Sequence, residues 1–254
     1  MNHNEIAEKL DKAAISAEAI EQISLTESFT EDEAYEIQAL SMEQRYERGD
    51  DFVGLKLGFT SFAKMEQMGV HDMIWGRLTE NMWLENGDEV SLSKFIHPRA
   101  EPEIAFRLSQ DLDREISLEE IPQYIDSACA AIEIIDSRYK NFKFSLEDVI
   151  ADNCSSSGFV LGKWQPLPSN LNDLKMTLSF DNEVVESDSS NAILDNPFLS
   201  ICNASRLAAK YGQSFPKGSI LLAGAATPAV FVKPNTTVSA EVDSLGIAEI
   251  RFTE

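Results

Sequence analysis

The chain has 254 residues, which is enough for one large domain or two small ones, and 43% of them are hydrophobic. Its 43 acidic and 21 basic residues give a formal net charge of −22. This charge argues against binding to nucleic acid or to an anionic membrane surface, since both need a positive protein surface. No apolar run approaches the ~20 residues of a membrane-spanning helix.

The start of the chain and its cysteines both favour a cytoplasmic protein. Residues 1–5 lack the basic start and the apolar stretch of a secretory signal. Cys129, Cys154 and Cys202 are odd in number and have no metal-ligand spacing. We therefore expect reduced thiols whose role is packing.

Two amphipathic helices are predicted in residues 1–50. The first spans about residues 5–21, where apolar side chains recur at helical spacing. The second begins after Thr30, which forms a capping box with Glu33. Such helices usually have a structural or dimer-forming role rather than a catalytic one. We therefore predict an N-terminal helical region over residues 1–50 and a catalytic region over residues 51–254.

The next predicted element is a strand over residues 52–58, in which Lys56 shares a face with Gly54 and Gly58. Glycine in a strand often marks the close approach of a ligand or of another backbone. A lysine on an exposed sheet edge, where it prevents aggregation, fits the pattern equally well. A short helix is predicted next, over residues 61–68.

A strand over residues 99–108 carries the most informative pair of acids. Because side chains alternate along a strand, Glu101 and Glu103 share one face and are rooted roughly 7 Å apart. Glu133 adds a third carboxylate in an apolar segment, where an unpaired charge would be costly. Three carboxylates without a cysteine or histidine ligand set suit Mg²⁺ or Mn²⁺. The alternatives are a solvated sheet face for the pair and a buried salt bridge for Glu133, for example with Arg138.

The net charge also limits how an acidic substrate could bind. A chain of charge −22 repels an organic acid, so a metal and a few local bases would have to attract it. The candidate bases are Lys56, Arg77, Arg99, Arg138, Lys140 and Lys143.

The second half of the chain is mostly β in pattern. One helix is predicted over residues 194–211. Strands are predicted over residues 175–180, 219–223, 229–232, 236–242 and 248–252. We find no internal repeat and no linker. The predicted fold is therefore α+β, with helices first and a β-rich, mixed-sheet catalytic domain after them.

Several segments together resemble the fumarylacetoacetate hydrolase superfamily, and within it the branch of 2-hydroxypentadienoate hydratases and 4-oxalocrotonate decarboxylases. The resemblance begins near Glu33 and covers most of the chain. It rests on several blocks in the right order, which are GLKLGFTS (54–61), AKMEQMGV (63–70), IHPRAEPEIAF (96–106), EIIDSRYKNFK (133–143) and ADNCSS (151–156).

The resemblance implies a metal-dependent enzyme that acts on a small 2-oxo acid. The implied ligands of one Mg²⁺ or Mn²⁺ are Glu101, Glu103 and Glu133. Lys56 is implied to reach the reacting substrate. Thr227 lies in a segment implied to be near the substrate carboxylate, where it either donates a hydrogen bond or stabilises a turn. Arg138 is implied to be either a substrate contact at the mouth of the site or a structural ion-pair partner.

One departure from the family pattern distinguishes the two kinds of enzyme in this branch. The hydratases carry an aspartate where this chain has Ile74, and adding water needs a group that transfers protons. The resemblance therefore implies decarboxylation of 4-oxalocrotonate to 2-hydroxypenta-2,4-dienoate and CO₂, with the metal as a Lewis acid. Asp72, two residues earlier, is an acid that could replace the missing one.

Three alternative functions stay open from the sequence. They are hydration of the dienoate, acylpyruvate-type hydrolysis, and the role of a catalytically idle partner protein. The resemblance also implies a homo-oligomer, with or without a hydratase partner in complex.

Overall fold

The computed structural model of the chain describes residues 2–61, 65–66 and 70–254. The helix predicted over residues 61–68 falls mostly outside them. Within the described residues the fold is α+β, with helices first and two mixed sheets after them, as predicted. None of the helices in this part of the chain has the length and apolar character needed to cross a membrane.

The helices whose ends lie within the described residues are α1 (His3–Ser16), α2 (Glu31–Glu47), α3 (Ile121–Tyr124), α4 (Leu146–Ala151) and α5 (Phe198–Lys210). The predicted capping box at the start of α2 is confirmed, because the Thr30 and Glu33 side chains each accept a hydrogen bond from the other's backbone N–H. The predicted end of the first helix is wrong. Ala17 adopts a left-handed conformation, and the Ile20 N–H donates to the Arg138 carbonyl oxygen instead of continuing the helix.

Strands are numbered in chain order within the described residues. A nine-stranded sheet contains β1 (Phe52–Gly58), β2 (Ile74–Thr79), β3 (Trp83–Leu84), β5 (Arg99–Leu108), β6 (Ile125–Ile135), β7 (Ser156–Leu161), β8 (Gln165–Pro166), β11 (Ile220–Leu222) and β12 (Val230–Phe231). A five-stranded sheet contains β4 (Glu89–Ser91), β9 (Lys175–Phe180), β10 (Glu183–Ser189), β13 (Thr236–Val242) and β14 (Gly246–Thr253). Strands β1, β5, β9 and β13 have the predicted bounds.

The order of strands in the larger sheet positions the site. Its main path is β2-β1-β11-β5-β6-β7-β3, with β12 paired to β5 and β8 paired to β6. The pairs β1–β11 and β3–β7 are parallel, and the other pairs in this sheet are antiparallel. The central strands β11, β5 and β6 therefore have neighbours on both sides, which suits their almost continuous burial.

Apolar side chains form separate clusters on the two faces of this sheet. One face packs against the helices through residues that include Leu10, Tyr35, Leu55, Trp75 and Phe106. Residues 1–50 share this core with the sheet, and the division at residue 50 stays a prediction. On the opposite face of the central strands, a smaller cluster includes Ala105, Cys129, Ala131, Phe159 and Leu222. A third cluster joins the two sheets through residues that include Ile132, Ile134, Val238 and Ile250.

Candidate active site and metal centre

Three glutamates from two neighbouring strands converge in the interior. Glu101 and Glu103 alternate along β5, and Glu133 on β6 lies directly opposite Glu101 in the antiparallel register. One carboxylate oxygen of each lies within 4.8 Å of those of the other two. Glu103 and Glu133 are fully buried, and Glu101 is partly exposed. The strand register thus produces the convergence, and a solvated sheet face is excluded for Glu103.

Lys56 points into the same cluster. Its Nζ lies 2.9 Å from Glu133 Oε2 and donates to the Cys154 carbonyl oxygen over 3.4 Å. Strand β1 is flanked by β2 and β11, so the exposed-edge alternative for the lysine is wrong. Gly54 is needed for backbone packing, since a Cβ there would lie 2.1 Å from the Ile220 carbonyl oxygen. Among the residues that the structure describes, the salt-bridge partner of Glu133 is Lys56 and not an arginine.

The charges of the cluster act strongly on one another. Burial lowers the pKa of Lys56, but the carboxylates of Glu133, Glu101 and Glu103 outweigh it and raise the pKa above its ordinary value. The lysine therefore stays charged at neutral pH. Burial and the neighbouring glutamates raise the pKa of Glu103 well above its ordinary value, with Lys56 opposing them. In the described part of the chain, the cluster contains three glutamates and only one lysine, so its acidic groups outnumber its basic one. A bound divalent cation would neutralise the excess negative charge.

Unsatisfied oxygens show that a cation fits this cluster. Glu103 Oε1 and Glu133 Oε1 are buried and accept no hydrogen bond within the described residues. Buried carboxylate oxygens without partners are costly, and a bound divalent cation would satisfy them. Glu103 Oε2 accepts a 2.7 Å hydrogen bond from the Gly224 N–H, which orients the carboxylate. The all-oxygen donor set fits a hard cation such as Mg²⁺ or Mn²⁺.

A cavity of about 870 Å³ opens beside the glutamates. Its described lining contains the bases Lys56, Arg99 and Lys143, and the acid Glu101. Much of the remaining wall is apolar, with residues that include Phe59, Ile74, Phe142 and Phe144. The lining thus supplies the local positive charge that an acidic protein needs to attract an organic acid.

The structure does not support the prediction that Arg138 contacts the substrate. Its guanidinium pairs with the Asp152 carboxylate and donates to the Asp136 carbonyl oxygen over 2.7 Å and to Ser157 Oγ over 2.6 Å. It is 4% exposed and is absent from the described lining of the cavity. Because its donors are used within the protein, the geometry supports the structural ion pair and not the predicted substrate contact.

Thr227 lies next to the cavity wall. It is 1% exposed, and its Oγ1 donates to the Pro228 carbonyl oxygen over 3.3 Å, a contact that stabilises the turn. Its neighbours Ala225 and Pro228 line the cavity. The role of Thr227 in substrate binding stays a prediction.

The apolar position that separates this chain from the hydratases is part of the site. Ile74 is buried and lines the cavity. Asp72 does not line it. The Asp72 carboxylate is held by both terminal nitrogens of Arg206, at 2.6 and 3.0 Å. Asp72 is therefore not a substitute for the missing acid.

The sequence did not indicate two backbone groups of the site. The Cys154 carbonyl reaches Lys56 from a turn in which Asn153, Cys154 and Ser155 all have positive φ. The Asn153 side chain secures this turn by exchanging two hydrogen bonds with the Arg77 backbone. The Gly224 N–H reaches Glu103 from a left-handed residue, and there a Cβ would lie 2.0 Å from Thr60 Oγ1. Of these two backbone groups, only the second had a signal in the sequence, which is a glycine at a position with positive φ.

Comparisons with known proteins agree with this arrangement. The family model described as "Fumarylacetoacetate (FAA) hydrolase C-terminal" matches residues 67–253. A 4-oxalocrotonate decarboxylase of a Pseudomonas species is 49% identical over 246 residues, covering 97% of this chain and 96% of that protein. A 2-keto-4-pentenoate hydratase of Burkholderia vietnamiensis is 35% identical over 224 residues, covering 87% of this chain and 86% of that protein.

A solved structure is similar over nearly the whole chain. It is that of the 4-oxalocrotonate decarboxylase of Pseudomonas putida G7 in complex with magnesium and adipate. The TM-score is 0.94 at 33% identity, with 98% of this chain and 97% of that chain covered. The chain belongs to the fumarylacetoacetate hydrolase family.

Proposed function

We propose that this protein is a metal-dependent decarboxylase of aromatic meta-cleavage catabolism. It converts 4-oxalocrotonate (2-oxohex-3-enedioate) into 2-hydroxypenta-2,4-dienoate and CO₂. The observation that carries the proposal is the cluster of three glutamates and Lys56 beside a cavity whose wall has Ile74 in place of an acid. The 49% identity to a 4-oxalocrotonate decarboxylase supports it. Adipate, found in the related structure, is a dicarboxylic acid with the same six carbons as 4-oxalocrotonate.

The glutamates determine where the 2-oxo acid end of the substrate binds. Glu101, Glu103 and Glu133 would hold one Mg²⁺ or Mn²⁺, and the Gly224 N–H keeps Glu103 oriented for it. When bound, the cation supplies Lewis-acid polarisation of the 2-oxo group and attraction for the adjacent carboxylate.

Lys56 stabilises the charge that develops when CO₂ leaves. The bond between C5 and C6 breaks, and its electrons move through the conjugated chain onto the C2 oxygen, which then gains a proton. Lys56 Nζ contacts two acceptors, Glu133 Oε2 at 2.9 Å and the Cys154 carbonyl oxygen at 3.4 Å, and an ammonium has a third N–H that can donate to this oxygen as it becomes negative. No group has to remove a proton before the carbon–carbon bond breaks.

Hydration of the dienoate is the second candidate, since a hydratase of the family is 35% identical to the chain. The described cavity lining contains neither aspartate nor histidine, and its one carboxylate is Glu101 beside the proposed metal. Adding water across a double bond requires a group that transfers protons, and hydrolysis of an acylpyruvate requires a base that activates water. The lining therefore favours decarboxylation over both.

An assay of the purified protein with Mg²⁺ or Mn²⁺ on both substrates tests the proposal. We expect CO₂ release from 4-oxalocrotonate at a higher kcat/KM than consumption of 2-hydroxypenta-2,4-dienoate. Turnover of the dienoate alone would establish a hydratase. If neither substrate reacts and the metal still binds, the enzyme acts on another 2-oxo acid or is a hydrolase.

We also infer that the chain forms a homo-oligomer in the cytoplasm, with or without a hydratase partner. The family resemblance supports the oligomer. The free thiols of Cys129, Cys154 and Cys202 support a reducing compartment. Light scattering of the protein alone and mixed with a hydratase of the same pathway measures both associations, and a monomer in both samples would contradict the inference.

A further inference from the structure

Arg99 is a cavity-lining base that the proposed chemistry does not use. It begins strand β5 and lies on the same face as Glu101 and Glu103, because the three residues alternate along the strand. Two strand residues span roughly 7 Å, so Arg99 is rooted about that far from Glu101 and twice as far from Glu103. Along β5, Arg99 is therefore rooted beyond the proposed metal ligands, and its side chain lines the same cavity as Glu101.

Two phenyl rings position the Arg99 guanidinium. Its Cζ lies 4.2 Å from the ring centroid of Phe142 and 4.1 Å from that of Phe231. Stacking on rings restrains a guanidinium but uses none of its N–H donors. Its Nε is buried and has no hydrogen-bond partner within the described residues. A buried donor of this kind is costly unless a ligand satisfies it.

We propose that Arg99 binds the remote carboxylate of the substrate and selects dicarboxylic over monocarboxylic 2-oxo acids. The inference rests on the proposed function, in which the 2-oxo acid end meets the metal site. The two carboxylates of an extended six-carbon diacid are separated by roughly the rise of two strand residues, about 7 Å, which is comparable to the spacing of the Glu101 and Arg99 backbones along β5. A guanidinium fork matches a carboxylate with two parallel hydrogen bonds.

This contact acts on binding and not on the transition state. The remote carboxylate is the group that leaves as CO₂, so the ion pair is strongest before the bond breaks. Arg99 thus lowers KM without raising kcat. The product has lost this carboxylate, so it binds less tightly than the substrate and is released more readily.

Calorimetric binding of two unreactive ligands to the magnesium-loaded protein tests the proposal. The ligands are 2-oxohexanedioate and 2-oxohexanoate, which share the 2-oxo acid end and chain length but differ in the remote carboxylate. We expect the wild type to bind the diacid about 10- to 100-fold more tightly, the usual effect of hydrogen bonds between charged groups. Arg99→Met should bind both ligands equally, with magnesium affinity unchanged.

Arg107→Met is the matched control. Arg107 is also on β5, pairs with Asp126 and lies over the Trp164 ring, but it is not part of the cavity lining. This variant should keep the full preference for the diacid. If Arg99→Met does not fold, Arg99→Lys keeps the charge without the fork and should lose roughly tenfold of the preference.

Two results would overturn the inference. One is a wild type that binds both ligands equally, and the other is a diacid preference that survives the replacement of Arg99. Neither ligand can lose CO₂, so binding is measured independently of turnover. An absence of CO₂ release from 4-oxalocrotonate, with the Arg99-dependent preference intact, would refute the proposed reaction and leave the diacid site in place.

Discussion

Lys56 Nζ and Glu133 Oε2 lie 2.9 Å apart, with side chains 4% and 0% exposed. Their strands, β1 and β6, are three positions apart in the sheet, which corresponds to roughly 14 Å if the sheet were flat. The contact therefore requires the sheet to curl toward this face. Curling brings the lysine to a carboxylate that belongs to the proposed metal site, so substrate, cation and ammonium can meet in one place.

Replacing Lys56 by methionine should reduce kcat for CO₂ release by about 10²- to 10³-fold, the usual cost of losing one preorganised donor to a developing oxyanion. Magnesium affinity should not fall, because Glu133 loses a competing cation. Steady-state kinetics and calorimetry measure the two effects. Lys140→Met is the control, since Lys140 pairs with Glu21 on the surface and is absent from the described cavity lining. A Lys56→Met enzyme with wild-type kcat would remove the lysine from the mechanism.

Replacing Arg138 by methionine should lower the free energy of unfolding by about 3–5 kcal/mol, because it leaves the Asp152 carboxylate buried without its partner. The KM for 4-oxalocrotonate of the folded variant should stay within about twofold of wild type. Urea unfolding and kinetics measure the two quantities. Arg251→Met, which breaks an exposed pair with Glu89, should cost much less stability. A large rise in KM without a loss of stability would restore the predicted substrate contact.

Replacing Asp72 by asparagine should leave decarboxylation within about twofold of wild type, since its carboxylate lies outside the cavity and pairs with Arg206. The pair is more than one third exposed on both sides, so its loss should cost about 1 kcal/mol or less. Kinetics and thermal unfolding test this prediction. A large loss of kcat in this variant would show that Asp72 transfers protons after all.

The thiols of the folded protein should react slowly near neutral pH. Burial raises the pKa of Cys129 and Cys154 to about 12 and that of Cys202 to about 11, so little reactive thiolate is present at about pH 8. Alkylation by iodoacetamide should speed up steadily as the pH rises to about 10, with Cys202 modified first because it is less buried. Peptide mapping after timed alkylation measures this order. Rapid modification of Cys154 at about pH 8 would contradict it.

Alternation of side chains made much of the strand structure predictable. Strands β1 and β5 have the predicted bounds, because apolar residues alternate with glycine and lysine or with glutamates. The first helix ends at Ser16, short of the predicted bound, because a left-handed Ala17 is followed by the long-range hydrogen bond from Ile20 to Arg138. The fifth helix begins later than predicted because Leu194 and Asp195 have positive φ. The spacing of apolar residues along a helix reveals neither positive-φ residues nor hydrogen bonds to distant parts of the chain.

The candidate site, like the fold, was predictable only in part. The side-chain alternation of Glu101 and Glu103 indicated a shared face, and the register of β5 and β6 places Glu133 beside them. The role of Arg138 could not be read from its neighbours, because it depends on Asp152, 14 residues away beside a left-handed turn. The surroundings of Arg99 were equally hidden, since Phe231 reaches it from a strand more than 100 residues later.

The most direct test of the central claim measures CO₂ release from 4-oxalocrotonate by metal-free protein titrated with Mg²⁺, for the wild type and Glu103→Gln. We predict no release without metal, saturable recovery in the wild type, and at least tenfold weaker magnesium binding with a matching loss of activity in the variant. The variant should stay folded, because an amide oxygen can still accept the Gly224 hydrogen bond. Full activity in Glu103→Gln, or CO₂ release without any divalent cation, would contradict the account.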